Sequence, residues 1–146
     1  MENGIQLLIV KEHKLVVQRA TGIIGRDVFI NMLTELYSMT DYLDTSLILT
    51  DLRESKAECT VDEVEEVTQF IIEHNHNTDG LRNAILTNEP SLTAVSILYQ
   101  HYSTCLPNYS SGVFSELANA LFYLQVPKYV VDEAYKQLDS NKNLVI

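Results

Sequence analysis

The sequence predicts an α/β fold, and three observations carry that expectation. Short apolar runs of strand length, at residues 16–22, 47–52, 83–88 and 111–114, alternate with longer stretches of helical period at 27–37, 61–73, 91–102 and 116–124. Repeated strand-then-helix units are the pattern of a mostly parallel sheet joined by crossover helices. Residues that make turns and caps stand at the joins, among them Gly22, Gly25, Thr60 with Glu63, and Pro90. The third observation is size: 146 residues at 46% hydrophobic content suffice for one core.

Each element can be justified in turn. Residues 5–10 and 15–20 flank Lys11-Glu12-His13-Lys14, a polar stretch of hairpin-loop length, and read as an antiparallel pair. Gly22 and Gly25 bracket the exit from the second strand, where a turn or positive φ comes easiest to glycine. Asp27 is placed to cap the first helix, whose apolar stripe is Val28, Phe29, Met32, Leu33 and Leu36. The strand at 47–52 is expected to give way to a polar loop at 53–59. Thr60 and Glu63 then have the spacing of a capping box at the start of the second helix. That helix turns Val64, Val67, Thr68, Ile71 and Ile72 inward and Asp62, Glu65, Glu66, Gln69 and Glu73 outward.

The strand at 83–88 ends at Glu89-Pro90, and Pro90 suits the first turn of a third helix. A short strand at 111–114 follows, then a fourth helix capped by Ser115 and ended by Pro127. In the tail, Val131, Ala134, Tyr135 and Leu138 form a helical stripe, which predicts a fifth helix. So short a helix is marginal alone, so it should dock on its own domain or on a second subunit, with residues 141–146 frayed. The chain thus divides into a domain at 1–127 and a helical extension at 128–146.

Chemistry is sparse. A net charge of −10 argues against nucleic acid and against an anionic membrane surface as partners. Gly22-Ile23-Ile24-Gly25 lacks the spacing of a dinucleotide fingerprint, and neither a P-loop nor a nucleophile elbow occurs. His74 and His76 would need further ligands to hold zinc, and nothing marks them. Asp51 stands at the carboxyl end of a central strand, where α/β proteins often place function, but a lone Asp there is more often a turn or cap residue. No nucleophile with a partner base emerges, so the expectation is a protein that is not an enzyme, with no cofactor and no metal. Cys59 and Cys105 form no short motif, and no apolar run is long enough to span a bilayer, so the expected compartment is the cytoplasm.

Three segments carry a family resemblance: residues 15–22 ending in Gly22, residues 47–53 ending in Asp51-Leu52-Arg53, and residues 114–124 with Tyr123 at a position commonly held by tryptophan. Together with the element order β-β-α-β-α-β-α-β-α, they resemble the SpoIIAA-like family of bacterial STAS/SEC14-type domains, over about residues 5–126. The resemblance implies a right-handed βα superhelix, a mostly parallel sheet with an antiparallel N-terminal strand, and helices mainly on one face. It implies a regulatory or scaffolding domain that binds a protein partner, with Arg53, Glu54, Ser55, Thr60 and Glu63 as the contact surface. In anti-sigma factor antagonists the corresponding loop carries Asp-Ser-Ser-Gly with a phosphorylated serine. That motif is missing here, and Glu58, Asp62 and Glu63 would repel a phosphate on Thr60. The SEC14-like side of the resemblance implies an alternative, a carrier or sensor of a lipid or other apolar small molecule, lined by Leu98, Tyr99, Tyr102 and Tyr109.

Overall fold

The computed structural model of the protein describes residues 4–77, 80–140 and 143–145. Among these, the strands are β1 (Gly4–Val10), β2 (Leu15–Ile24), β3 (Leu47–Ala57), β4 (Leu81–Leu86), β5 (Tyr109–Phe114) and β6 (Asn143–Val145). The helices are α1 (Arg26–Ser38), α2 (Val61–His74), α3 (Pro90–Tyr102), α4 (Leu117–Leu124) and α5 (Lys128–Ser140). The expected α/β architecture is therefore present. The strands form one sheet in the order β5-β4-β3-β2-β1-β6. Strands β2 to β5 are parallel, β1 is antiparallel to β2, and β6 is parallel to β1.

Strict alternation along the central strands sorts their side chains between two cores. Leu8, Val17, Leu49 and Ala84 point to one face and meet Leu121, Leu124, Val131, Ala134 and Leu138 of α4 and α5. Leu7, Ile9, Val16 and Ile48 point to the other and meet Met32 and Leu36 of α1. Further along that second face, Ala20, Leu52 and Ile85 pack with Leu92 of α3. Because β2, β3, β4 and β5 advance across the sheet in one direction, the handedness of parallel crossovers puts α1, α2 and α3 on a single face. The helices are thus not confined mainly to one face: α4 and α5 cover the other.

Several local expectations need correction. Residues 53–57 are not loop: β3 continues through them to Ala57, paired with β2 as far as Ile24. The continuation depends on a bulge, at which Leu52 and Arg53 stand opposite the single residue Ala20. The extra residue keeps Leu52 and Ser55 both buried despite the charged composition. Gly22 has the positive φ (92°) anticipated for it, but inside the strand rather than at a turn. Helix α1 starts one residue before Asp27, with Gly25 as its cap, and α4 is capped at Glu116 instead of Ser115. Neither cap makes a side-chain hydrogen bond. Ile72 of α2 faces outward.

The tail behaves as anticipated in its first half only. Helix α5 forms and docks within the chain, burying Val130, Val131, Ala134 and Leu138. The Gln6 amide donates to the carbonyl of Leu138 at 2.6 Å, which satisfies one of the orphan acceptors of the last turn. Residues 143–145, expected to fray, instead add a strand beside Leu7, Leu8 and Ile9; residues 141, 142 and 146 lie outside the described residues. No described helix is long and apolar enough to cross a membrane. Replacing Ala134, which has no solvent exposure at the centre of the α5 contact, by leucine should destabilise the fold through overpacking by about 1–3 kcal/mol. A denaturant melt against the parent chain measures this.

Candidate functional site

Two regions hold the residues that the sequence singled out. The first is the carboxyl end of the central strands. Among the described residues β1 pairs as far as Thr21 and β4 as far as Asp51, while β2 and β3 run on together as an arm. Glu58 closes the arm by donating its backbone N–H to the carbonyl of Ile24 at 2.8 Å. Helix α2 then begins with the expected capping box: Thr60 Oγ1 accepts from the Glu63 N–H at 3.2 Å, and the Glu63 carboxylate accepts from the Thr60 N–H at 3.0 Å. The hydrogen bond from the Thr60 backbone N–H is the largest of the influences that hold the Glu63 carboxyl below its ordinary range.

The candidate residues of this region separate by exposure. Glu54, Lys56, Glu58 and Thr60 are exposed, as are the apolar Ile23 and Val61. Ser55 is buried and donates its hydroxyl to the Ala20 carbonyl at 2.6 Å, at the bulge. It ties the two strands together and is no part of the outer surface. Arg53 folds back onto Asp51, with Nε to Oδ1 at 3.1 Å and Nη2 to Oδ2 at 2.9 Å. On the α5 side Tyr135 donates its hydroxyl to Asp51 Oδ2 at 2.6 Å. Burial of Asp51 acts to raise its pKa, but the hydrogen bonds from Arg53 and Tyr135 outweigh burial and hold the carboxyl below the usual range. Desolvation and the neighbouring carboxylate push the Tyr135 phenol up, so it stays a donor. Asp51 is therefore a structural pin between β3 and α5.

The second region lies between the sheet and α1, α2 and α3. It contains a cavity of about 80 Å³, walled by Phe29, Met32 and Leu33 of α1, Val64, Val67 and Ile71 of α2, and Val95, Ser96 and Tyr99 of α3. Its floor is polar. Gln18 Nε2 donates to Thr50 Oγ1 at 2.8 Å, and Thr50 donates to Asn83 Oδ1 at 2.8 Å. Asn83 Nδ2 donates to the Tyr109 hydroxyl at 3.1 Å, which lies 2.6 Å from that of Tyr99. The ladder crosses β2, β3, β4 and β5 beneath the helices. Burial pushes both phenols up, so they remain neutral.

Of the four residues expected to line an apolar ligand, Tyr99 lines this cavity and Tyr109 touches it through the ladder. Leu98 and Tyr102 are half-buried and lie outside its wall. Tyr109 also borders a second hollow of about 210 Å³ near Leu81 and Leu106. Reading the sequence missed Gln18, Thr50 and Asn83. Their signal was present: each interrupts an apolar strand at a position that alternation points toward the helices. Among the described residues no three of His, Cys, Asp and Glu gather as a metal site would require.

Comparison with known proteins supports the fold. A crystal structure of an uncharacterized protein of the DUF3478 family from Shewanella loihica PV-4, with a SpoIIAA-like fold, superposes with a TM-score of 0.56. It is 16% identical in sequence and the match covers 85% of this chain and 96% of that one. The fold of this chain is accordingly SpoIIAA-like. No family model and no curated protein matches the sequence.

Two outcomes follow for this region. Thr50→Val keeps shape but removes the acceptor for Gln18 and the donor for Asn83, so it should cost about 2–4 kcal/mol in a chemical melt. Asp51 is held below its unfolded value, so its contribution is present above about pH 4 and is lost as the pH falls through its folded value. Stability of the parent chain should therefore fall more steeply in acid than that of Asp51→Asn, measured by urea melts from pH 6 to pH 3.

Proposed function

We propose that this chain is a non-catalytic regulatory or scaffolding domain that binds a protein partner through the β2–β3 arm and the first turn of α2. The observation that supports this reading is the arm itself. It runs past the last described pairing with each neighbouring strand and carries exposed Ile23 opposite Lys56, with Glu54 and Glu58 exposed on the same stretch of chain and Val61 exposed at the start of α2. Exposed apolar groups accompanied by charges of both signs suit recognition of another protein, where apolar contact gives affinity and charge gives register. Arg53 and Glu63 shape this surface from within, one by its pairing with Asp51 and the other by the capping box. Thr60 serves as the cap acceptor, in keeping with a contact that works without a phosphorylation switch. Two thiols without a disulfide partner suit a cytoplasmic place of action.

A second reading, an apolar small molecule held beneath α1, α2 and α3, is favoured by the cavity there. At about 80 Å³ it suits a molecule far smaller than a membrane lipid.

The partner reading is tested by affinity purification of the parent chain beside an Ile23→Asp, Val61→Asp double variant. Both positions are exposed, so the variant should melt within about 0.5 kcal/mol of the parent. The expected result is a stoichiometric partner that the variant fails to retain. A partner kept equally by both chains, or none at stoichiometric yield with the parent, would overturn the reading.

A further inference from the structure

We infer that the cavity beneath α1, α2 and α3 is a binding site for a small, neutral, mostly apolar molecule carrying a hydroxyl group, and that Gln18 is the residue that reads the hydroxyl. This deepens the small-molecule reading above and rests on it. The argument starts from one atom. Gln18 is 4% exposed, and its Oε1 is a buried acceptor without a hydrogen-bond partner among the described residues. A buried carbonyl left unpaired is costly, and such groups in folded proteins call for an explanation.

The Gln18 amide stands at one end of the ladder. The Gln18 nitrogen is committed to Thr50, whose single proton goes on to Asn83 Oδ1. With the nitrogen so engaged, the amide keeps its oxygen as the open group. Gln18 also lines the cavity. The residue borders the cavity while the oxygen itself is shielded in the resting structure, so the amide must turn slightly for a ligand to reach it.

The walls settle the rest of the ligand's chemistry. None of the described lining residues is charged, so an ionised ligand would enter without a counter-charge and lose its hydration. Most of the wall is aliphatic or aromatic, contributed by residues such as Met32, Val67, Ile71 and Tyr99. The wall favours a carbon skeleton, and the floor asks for one donor. A hydroxyl donates to Gln18 Oε1 and retains lone pairs facing a wall that includes the Ser96 side chain. The volume is several times what a single water needs and below the roughly 150 Å³ of an engineered cavity that admits benzene. A skeleton of about four carbons is the size expected.

The test uses two isomers, 1-butanol and diethyl ether, which share composition and nearly share volume but differ in the O–H donor. Each is titrated into the full chain while the side-chain amide of Gln18 and the methyl groups of Val67 and Ile71 are followed by NMR. The expected result is saturable shifts at all three, with 1-butanol binding roughly tenfold more tightly than the ether. In Gln18→Met the preference should vanish while apolar binding persists. If both isomers bind the parent chain equally, the assignment of Gln18 falls and the broader small-molecule reading stands. If neither shifts the Val67 and Ile71 methyls, the cavity is a site for water alone and both fall.

Discussion

A mostly parallel sheet must be covered on both faces, and that constraint shapes everything after β5. The three crossovers between β2 and β5 spend their helices on one face, because strands that advance in a single direction place every crossover on the same side. Leu8, Val17, Leu49 and Ala84, on the opposite face, would then meet water. Helices α4 and α5 supply the missing layer, so the chain after β5 completes the core. The Asp51 contact with Tyr135 holds α5 against the middle of β3, and Arg19 reaches Asp139 while its guanidinium lies over the Tyr135 ring at 5.6 Å. Arg82 does the same for α4, bonding the Tyr123 carbonyl at 3.0 Å beneath that ring. The surface ion pair with Asp139 contributes little alone. The buried hydrogen bond to Asp51 contributes more, since losing it would leave a desolvated carboxylate short of a donor.

The face beneath α1, α2 and α3 is built differently. Where Leu or Val would have filled the space, three strands place Gln18, Thr50 and Asn83 in line. Such a ladder specifies one register between β2, β3 and β4, because a slip of one residue would separate every partner. It also keeps the floor from being filled by branched aliphatic side chains, and the space that remains is the cavity. Register alone would require only a closed chain of hydrogen bonds. At one end of this chain Tyr109 and Tyr99 partner each other, and at the other Gln18 Oε1 has no partner among the described residues.

The sequence made most of this architecture legible and little of the site. The βα rhythm, the Thr60 with Glu63 capping box and the apolar stripe of α5 are local signals, and each is realised in the structure. The arm was misread because Arg53, Glu54 and Lys56 look like loop residues, and only their pairing with β2 across a bulge makes them strand. No local pattern announces that pairing. Ser55 reads as surface for the same reason: its burial follows from the bulge at Ala20. The strand at residues 143–145 was hidden too, since a three-residue segment has no period to read. Tyr99 was found because it belongs to a helical stripe. Gln18 and Asn83 were passed over, since a single polar residue in a strand gains meaning only when its neighbours across the sheet are known.

Helix α2 connects the two regions. Its first turn is fixed by the capping box at the end of the arm, and its inner face supplies Val64, Val67 and Ile71 to the cavity wall. A rotation of the helix that brought Thr60 and Val61 toward a partner would carry those three side chains with it, because a helix turns as a rigid rod over this length. The arm holds the start of the helix through the Glu58 to Ile24 hydrogen bond, and Arg26 of α1 reaches Glu66 at 2.7 Å across its outer side. The first is a backbone bond next to a covered core, while the second is an exposed ion pair that solvent weakens. The inner face therefore has more to say than the outer one about where α2 rests. On the two readings proposed above, an occupant of the cavity and a partner on the arm act on one helix. Linkage then requires that each alter the affinity of the other by the same factor.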